Sequence, residues 1–396
     1  MRFIEDLDVK GRTVFLRVDF NVPLNEDGTI RNDKRIKASL PAITYLLGKG
    51  AKLVLASHLG RPKGKPDPKM SLAPVAKRLA ELLGRDVLMA PGVIGPEVDR
   101  LKAGLKEGQA LLLENVRFHP GETKNDPELS KALAGGIDIF INDAFGSSHR
   151  AHASVVGIVD YVPLAAAGYL MKKEVDNLRK AVVNPAKPYV AILGGAKTED
   201  KIPVIEALLA KADAILIGGA MAYTFFLAQG KDIGRSLVEP DKLDIARAIL
   251  NKAAEKGVRF LLPLDTVMTK TIESGRVDKI QEGFPFPAEL MGVDIGPKTI
   301  AAYGAVIAGA KTIFWNGPLG VFEQPAFAQG TTKIAEAVAA SGAVSIVGGG
   351  DSIAAVDKAG VSARITHIST GGGASLEFIA EGTLPGIEAL ERKQGK

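Results

Sequence analysis

The sequence predicts an α/β fold built from two doubly wound parallel sheets, one in each half of the chain. The chain has 396 residues, which favours two domains over a single core. Short, continuous apolar runs alternate with amphipathic segments along the chain, a pattern typical of parallel strands that helices cover on both faces. This alternation occurs on each side of a central helical segment, residues 169–188.

In the amino-terminal half, apolar runs predict five strands and amphipathic spacing predicts two helices. The predicted strands are 13–19, 53–58, 86–90, 110–118 and 138–145. The predicted helices are 35–49 and 71–83. Ser71 is the expected N-cap of the second helix, because a serine hydroxyl accepts a hydrogen bond from the first turn.

The carboxyl-terminal half repeats the alternation. Strands are predicted at 189–193, 214–217, 259–263, 312–315, 344–347 and 366–369. Helices are predicted near 201–211, 242–256, 298–308 and 333–340. In such sheets, ligands bind at the carboxyl ends of the strands, so the residues that follow each strand are the candidates for function.

The central segment reads as one helix. Met171, Val175, Leu178 and Val182 recur at i, i+4, i+7 and i+11, which places an apolar stripe on one face. Pro185 ends the helix, because proline disfavours the α conformation of the residue before it. The pattern leaves two alternatives open: a helix that joins two lobes, or an ordinary crossover helix within one large sheet.

Composition excludes several classes of protein. The chain contains no cysteine, which excludes disulfides and thiolate metal sites. The net charge is +5, but no basic block is interleaved with aromatic residues, so we expect no nucleic-acid partner. The first residues lack the apolar core of a signal peptide, and the apolar runs are too short to span a membrane. We therefore expect a cytoplasmic protein.

Polar and cationic residues follow the predicted strands of the amino-terminal half. Arginine presents a planar fork that suits carboxylate and phosphate oxygens, so four arginines at one sheet edge indicate a small ligand with several negative charges. The histidine spacing fits no standard zinc pattern, which favours hydrogen bonding or packing. The residues in question are Asp19, Phe20, Asn21, Arg35, His58, Leu59, Gly60, Arg61, Arg117, His119, Arg150, His149 and His152.

Glycine-rich turns follow the strands of the carboxyl-terminal half, at 194–197, 218–219, 316–320, 348–352 and 371–375. Glycine lets the backbone approach a ligand, and a turn that opens a helix offers N–H groups to phosphate oxygens. Lys197 and Lys201 are placed to reach a polyphosphate. Asp351 is placed to hold Mg²⁺, which prefers one or two carboxylates together with phosphate oxygens.

The standard nucleotide fingerprints are absent from the sequence. It contains no Walker A motif, no G-x-G-x-x-G after the first strand and no protein-kinase motif set. A polyanion site in one half and a phosphate site in the other indicate phosphoryl transfer, which depends mainly on positioning and on cations. The residues alone thus indicate a kinase of a small anionic metabolite, with a carboxylate kinase and a nucleic-acid-binding protein as alternatives.

Eight motifs then resemble the phosphoglycerate kinase family over essentially the whole chain. They are RVDFNVP (17–23), SHLGRP (57–62), LLENVRFH (112–119), NDAFGSSHRAHAS (142–154), LGGAK-x-x-DKI (193–202), FWNGPLGVFE (314–323), GGGDS (348–352) and STGGGASLE (369–377). A small departure is the pair Ser147 and Ser148, where the family commonly has Thr-Ala.

The resemblance implies two Rossmann-like lobes joined by an interdomain helix. It implies an amino-terminal lobe of residues 1–170 with 378–396, a helix at 171–185 and a nucleotide lobe at 186–377. The implied reaction moves a phosphoryl group from 1,3-bisphosphoglycerate to ADP with Mg²⁺, giving 3-phosphoglycerate and ATP. A monomer whose lobes close by hinge bending is also implied, which favours the linker interpretation of the central helix.

The resemblance also implies roles for individual residues. The glycerate ligand would be bound by Asp19, Phe20, Asn21, Arg35, His58, Leu59, Gly60, Arg61, Arg117 and Arg150. The nucleotide would be bound by Gly195, Lys197, Lys201, Gly219, Gly292, Asn316, Pro318, Glu323, Gly349, Gly350, Asp351 and Ser352, with Glu323 on the ribose and Asp351 on the metal. Arg35 and Lys197 would flank the transferred group, assisted by backbone N–H groups near Gly350 and Gly372.

Overall fold

Two six-stranded parallel sheets organise the chain, one in each of two units. The computed structural model describes residues 1–394, except for the side chain of Asp200. One unit comprises Met1–Val175 with Thr383–Lys396, and the other comprises Asp176–Gly382. The predicted α/β class with two doubly wound sheets is confirmed. The predicted domain limits stay a prediction.

The first sheet has the strand order β3-β4-β2-β1-β5-β6, and all its strands are parallel. Its strands are β1 (Thr13–Arg17), β2 (Lys52–Ala56), β3 (Val87–Met89), β4 (Ala110–Leu112), β5 (Ile139–Asn142) and β6 (Leu164–Ala167). Strands β2, β3 and β4 lie on one side of β1, and β5 and β6 lie on the other side. The carboxyl ends of β1, β2 and β5 therefore border the crevice where ligands bind in such sheets.

The second sheet has the order β15-β14-β13-β7-β8-β9, again parallel. A small antiparallel sheet, β11-β10-β12, was not predicted from the sequence. The strands are β7 (Tyr189–Leu193), β8 (Ala214–Ile217), β9 (Arg259–Leu261), β10 (Asp265–Thr269), β11 (Lys279–Glu282), β12 (Met291–Ile295), β13 (Thr312–Asn316), β14 (Val344–Gly348) and β15 (His367–Ile368).

Helices cover both sheets. They are α1 (Lys34–Gly48), α2 (Ala73–Leu83), α3 (Pro96–Gly104), α4 (Pro127–Ala134), α5 (Tyr169–Val182), α6 (Ile202–Leu208), α7 (Met221–Ala228), α8 (Leu243–Glu255), α9 (Pro297–Ala308), α10 (Gln329–Ala340), α11 (Gly350–Lys358), α12 (Gly373–Glu381) and α13 (Pro385–Gln394). Central strands such as β5 and β7 are buried at every position, as expected for strands covered on both faces. None of the helices in residues 1–394 is both long enough and apolar enough to cross a bilayer.

Two local predictions were wrong, and side-chain hydrogen bonds explain both. The strand predicted at 110–118 ends at Leu112, and a 3₁₀ turn follows at Val116–Phe118. The chain turns there because the Asn115 side chain accepts from Arg117 N at 3.1 Å and donates to Leu59 O at 2.7 Å. The N-cap of α2 is Leu72 rather than Ser71, although the Ser71 hydroxyl accepts from Ala73 N at 3.2 Å, as expected of a cap, while it donates to Glu114 at 2.7 Å.

The central helix α5 connects β6 of the first sheet to β7 of the second. It is therefore not a crossover within one sheet. Its amino end is fixed by Asp143, whose Oδ1 accepts from Leu170 N at 2.7 Å and from Met171 N at 3.1 Å. The predicted apolar stripe is buried at Met171, Val175 and Leu178, while Val182 is half-buried.

The carboxyl-terminal helix α13 packs against β6 of the first unit. Ile387 and Leu390 are buried on its inner face. Gly386 N donates to Ser148 O at 2.9 Å, and a Cβ at Gly386 would lie 2.8 Å from Ser148 Cβ. The last helix is thus part of the first unit, although it is separated from the rest of that unit by the whole of the second.

Candidate functional sites

In the first unit, five predicted residues meet at the carboxyl ends of β1 and β2. Arg35 Nη1 donates to Asp19 Oδ2 at 2.8 Å. Asn21 Oδ1 accepts from Gly60 N at 2.9 Å, and Arg117 Nη1 donates to Gly60 O at 2.8 Å. The loops after the two strands are therefore tied together, with Arg35 and Arg117 half-buried beside them.

Positive charge accumulates around Arg117. Burial and the charge of Arg17 lower the pKa of Arg117 to about 10, and Arg150 and Arg61 act in the same direction. Glu122 opposes the shift but does not cancel it. Burial is the larger cause, but three of the four charged groups that act on Arg117 are arginines, so an anionic ligand would meet an excess of positive charge here. We call this set of Arg17, Arg35, Arg61, Arg117 and Arg150 the arginine cluster.

The histidines of the cluster are neutral at physiological pH. Burial, followed by the charge of Arg17, holds the pKa of His58 well below its usual value. Burial and Arg117 lower the pKa of His152 to about 3. Burial and Arg150 lower the pKa of His149, whose Nε2 accepts from Arg150 Nε at 3.0 Å. These side chains therefore act as hydrogen-bonding groups, as the sequence favours, rather than as charges.

Five other predicted residues occupy different environments. Phe20 and Leu59 are buried, so only their backbone groups can face a ligand. Phe20 N donates to Ser57 Oγ at 2.8 Å. His119 accepts from Gly121 N at 3.1 Å through Nδ1, a contact within its own turn. Arg61 and Arg150 are exposed and act on Arg117 through their charge.

Two residues of this site were given no role by the sequence analysis. Arg17 is fully buried at the end of β1 and donates to Ser154 Oγ at 2.9 Å, with His58 Nδ1 at 3.3 Å from its Nη2. Glu122 is also fully buried and accepts from the Ser154 hydroxyl at 2.6 Å. A charged residue inside an apolar strand was a visible signal for Arg17. Glu122 gave no comparable signal.

In the second unit, a cavity of about 440 Å³ opens among the glycine-rich turns. It lies beside the turns that follow β7, β8 and β13 and beside β12. Its lining residues are Gly195, Ala196, Gly219, Ala220, Tyr223, Arg235, Leu237, Ile272, Met291, Gly292, Val293, Pro318, Gly320, Val321, Glu323 and Asp351. We call it the glycine cavity. Six of the predicted nucleotide residues line it: Gly195, Gly219, Gly292, Pro318, Glu323 and Asp351.

Two glycines are required by the close packing of the cavity wall. Gly219 has a φ of +65°, and a Cβ there would lie 2.6 Å from Gly195 N. At Gly292 a Cβ would lie 2.2 Å from the Tyr223 hydroxyl oxygen. A side chain at either position would displace the wall or fill the cavity. Gly292 carried no separate signal in the sequence beyond the family resemblance.

A donor-rich corner lies at the ends of β13 and β14. The amide nitrogen of Asn316 is buried and has no hydrogen-bond partner in the structure described. Gly349, with a φ of +92°, precedes α11, and Ser352 Oγ accepts from Gly317 N at 2.5 Å. An unpartnered buried donor beside the first N–H groups of a helix suits a phosphate oxygen. Gly372, with a φ of +56°, similarly precedes α12.

The charged candidates of this unit lie on its surface. Lys197 and Asp351 are exposed, and Lys201 is half-buried just before α6. Among the side chains that the structure describes, which leave out Asp200, no group of three or more His, Asp or Glu residues could hold a metal ion. A divalent cation at Asp351 would therefore need phosphate oxygens as further ligands, the arrangement that Mg²⁺ commonly adopts.

Comparisons with known proteins agree on one family. The family model described as phosphoglycerate kinase matches residues 4–382. A phosphoglycerate kinase from Koribacter versatilis is 58% identical over 98% of this chain and 99% of the relative. The phosphoglycerate kinase of Acidobacterium capsulatum is 57% identical over the same shares.

The similar solved structures are also phosphoglycerate kinases. The structure of phosphoglycerate kinase from Coxiella burnetii matches with a TM-score of 0.90 at 42% identity, covering 98% of both chains. That of phosphoglycerate kinase from Pyrococcus horikoshii matches with a TM-score of 0.86 at 36% identity, covering 100% of both. The similarity thus extends along the whole chain rather than to one unit.

Proposed function

The chain belongs to the phosphoglycerate kinase family, and from this premise we propose that it transfers a phosphoryl group reversibly from 1,3-bisphosphoglycerate to ADP. The products are 3-phosphoglycerate and ATP. The observation that carries the proposal is the excess of positive charge around Arg117, in a chain whose second unit holds the glycine cavity. We further propose a cytoplasmic monomer.

The arginine cluster binds the glycerate ligand. Arg35, Arg61, Arg117 and Arg150 contact its phosphate and carboxyl oxygens, since each guanidinium offers paired donors to such groups. Asp19 accepts a hydrogen bond from its single hydroxyl group, and the side-chain amide of Asn21 donates to the oxygen of that hydroxyl. Neutral His58 accepts or donates a hydrogen bond without adding charge, in keeping with its depressed pKa. The backbone of Phe20, Leu59 and Gly60 completes the surface.

The glycine cavity binds ADP. Gly195, Gly219, Gly292 and Pro318 form the walls against which the base lies, and Glu323 accepts hydrogen bonds from the ribose hydroxyls. Asn316, Lys197, Lys201 and the turn from Gly349 to Ser352 contact the phosphates. Asp351 holds Mg²⁺, which when bound neutralises charge on the nucleotide phosphates.

In the chemical step, a β-phosphate oxygen of ADP attacks the 1-phosphoryl group of the glycerate ligand. The bond between phosphorus and the carboxyl oxygen breaks, and the carboxylate leaves with the electron pair. Arg35 and Lys197 stabilise charge on the transferred group, together with backbone N–H groups near Gly350 and Gly372. No protein side chain needs to accept a proton.

The two substrates bind to different units, so the units approach each other during each turnover. Reacting atoms must come within about 3–3.5 Å, and closure excludes water as a competing acceptor. We place the hinges near Gly168, near residues 184–188 and near residues 377–385. Solution X-ray scattering with both substrates should show compaction, and unchanged scattering would refute the hinge.

The proposed reaction is tested with an assay for ATP-dependent phosphorylation of 3-phosphoglycerate. Release of ADP, which phosphorylation of any acceptor causes, is followed by a coupled assay, with acetate, glycerate and aspartate as alternative acceptors. We expect turnover with 3-phosphoglycerate and less than about one hundredth of it with the others, since they lack the phosphate that the arginines contact. Preference for an unphosphorylated acid would instead favour a different carboxylate kinase.

A further inference from the structure

Glu122 lies beneath the arginine cluster and belongs to neither set of expected contact residues. It is in the 3₁₀ turn Glu122–Lys124 and is fully buried. A carboxylate buried to this degree is rare unless a partner compensates its charge. The cations that lie close enough to compensate its charge are those of the arginine cluster, Arg17 and Arg117.

Ser154 connects Glu122 to Arg17. The Ser154 hydroxyl donates to Glu122 Oε1 at 2.6 Å, and Ser154 N donates to Glu122 Oε2 at 2.9 Å. The hydroxyl oxygen in turn accepts from Arg17 Nε at 2.9 Å. A continuous chain of hydrogen bonds therefore leads from a buried carboxylate, through a buried serine, to a buried guanidinium.

The same turn also holds the segment that carries His152. Ala153 N donates to Glu122 O at 2.9 Å, and His152 Nδ1 lies 3.7 Å from Glu122 Oε1. Because the pKa of His152 is lowered to about 3, this histidine is neutral and the contact is not an ion pair. Glu122 is thus linked to Arg17 of the arginine cluster through Ser154, and it also lies beside His152.

Resting on the proposed function, we propose that Glu122 is a positioning residue of the glycerate site. It holds Arg17 through Ser154 and supplies the buried negative charge that allows several arginines to remain close together when no ligand is bound. It does not touch the substrate. Removing its charge would leave mutually repelling cations, which would move apart and bind the anionic substrate less well.

The electrostatic environment of Arg117 supports this role. The charged groups that act on Arg117 are Arg17, Arg61, Arg150 and Glu122, and of these Glu122 alone raises its pKa. Glu122 also raises the pKa of Arg17, against the larger effect of burial. Loss of the carboxylate would therefore lower the pKa of both guanidinium groups.

The main test is Glu122→Gln, which keeps an acceptor for Ser154 and removes the charge. We expect KM for 3-phosphoglycerate to rise by about tenfold or more, the range for a hydrogen bond to a charged group, with KM for ATP unchanged. The alkaline limb of the 3-phosphoglycerate profile should move to lower pH. Equal changes in both KM values, or an unmoved alkaline limb, would overturn the proposal.

Asp126→Asn is the matched control. Asp126 lies four residues further along the same segment and caps α4 through Leu129 N at 2.9 Å. It undergoes the same acid-to-amide change without entering the cluster. We expect its KM values and pH profile to match those of the wild type, and a shift equal to that of Glu122→Gln would show that the effect is not specific to Glu122.

Ser154→Ala provides a second test of the positioning role, which is needed if Glu122→Gln does not fold. It breaks the bridge to Arg17 and leaves the charge in place, so KM for 3-phosphoglycerate should rise with KM for ATP constant. When both single variants fold, the double variant should be no worse than Glu122→Gln, because the two residues act in one chain of hydrogen bonds. An unchanged Ser154→Ala enzyme, or fully additive effects, would refute the role of Ser154 and with it the proposal.

Binding of sulfate tests the positioning role of Glu122 independently of the proposed reaction. Wild-type protein that does not phosphorylate 3-phosphoglycerate would refute the function. Sulfate stabilises folded proteins in general, so the part of its Tm rise that differs between the variants reports the arginine cluster, whatever the natural ligand is. We expect sulfate to raise Tm in wild type and Asp126→Asn, and to raise it less in Glu122→Gln. Equal rises in all three would overturn the positioning role.

Discussion

Arg35 Nη1 donates to Asp19 Oδ2 at 2.8 Å, while 40% of the Arg35 side-chain surface stays exposed. Asp19 is itself fixed, because its Oδ1 accepts from Asn21 N at 3.1 Å. One side of the guanidinium is therefore held by the turn after β1, and the remainder faces solvent. This is the arrangement expected of an arginine that must meet a ligand in a defined orientation.

Arg35→Ala should lower kcat by about a thousandfold or more, the range for arginines that stabilise a transferring phosphoryl group. Steady-state kinetics in the direction of ATP consumption measure the effect. Arg12→Ala is the control, because Arg12 is an exposed arginine of the same unit. An Arg35→Ala enzyme within threefold of wild type would remove Arg35 from the catalytic step.

Asn316→Asp should weaken ADP binding by about tenfold, because the variant replaces a buried amide donor with a carboxylate where the phosphates are proposed to lie. Isothermal titration calorimetry with MgADP measures the change. Asn251→Asp, on the exposed face of α8, makes the same chemical change away from the cavity. Equal affinities in the two variants would contradict the phosphate role of Asn316.

Glu323→Ala should raise KM for ADP by about tenfold and leave KM for the glycerate ligand unchanged, because the proposed contacts are with the ribose. The two KM values are measured in the direction of ATP formation. The exposed acid Glu289, in the same unit, serves as the control when changed to Ala. If KM for ADP did not change, Glu323 would not bind the ribose.

Two buried carboxyls should make stability depend on pH. Burial raises the pKa of Asp143 and of Asp294 to about 7 each, against about 3.9 in an unfolded chain. Between these values the folded state keeps a proton that the unfolded state releases. The free energy of unfolding should therefore fall as pH rises from about 4 to 7 and level off above. Each group contributes on the order of 4 kcal/mol at most.

Asp143→Asn and Asp294→Asn should each remove their own part of this dependence, since an amide does not titrate. Urea unfolding at pH 5 and pH 8 measures it. Trp315, the only tryptophan in the sequence, is buried in the second unit and reports its unfolding by fluorescence. Fluorescence midpoints that kept their full pH dependence in Asp294→Asn would contradict the assignment.

Local sequence patterns predicted most of the two sheets. The runs at β7 and β8 give the strand limits correctly because a pair of glycines directly follows each apolar run. The antiparallel sheet β10–β12 was missed because its strands lack long apolar runs: β11, with the sequence KIQE, is mostly exposed, and the buried β10, with the sequence DTVMT, has polar residues at three of its five positions. Helices α11 and α12 begin at glycines, so the turns before them were recognised and the helices were not.

The residues of the candidate sites, like the strands, were predictable from the sequence only in part. Asn21, Gly60 and the glycine turns follow predicted strands, so strand prediction alone places them at a sheet edge. Glu122 depends on a contact with Ser154, 32 residues further along the chain. No local pattern carries information on such a pairing. Gly292 likewise depends on the approach of Tyr223, which belongs to a different segment of the chain.

Because α13 packs on the first unit, that unit cannot complete its folding until the end of the chain has been synthesised. A chain leaves the ribosome from its amino terminus, so residues 1–175 emerge first, without Ile387 and Leu390 to cover β6. The second unit is one continuous segment, and it can close as soon as Gly382 has emerged. The sequence of the second unit is therefore complete before that of the first, and a chain that ended before Pro385 would leave the apolar surface of β6 uncovered.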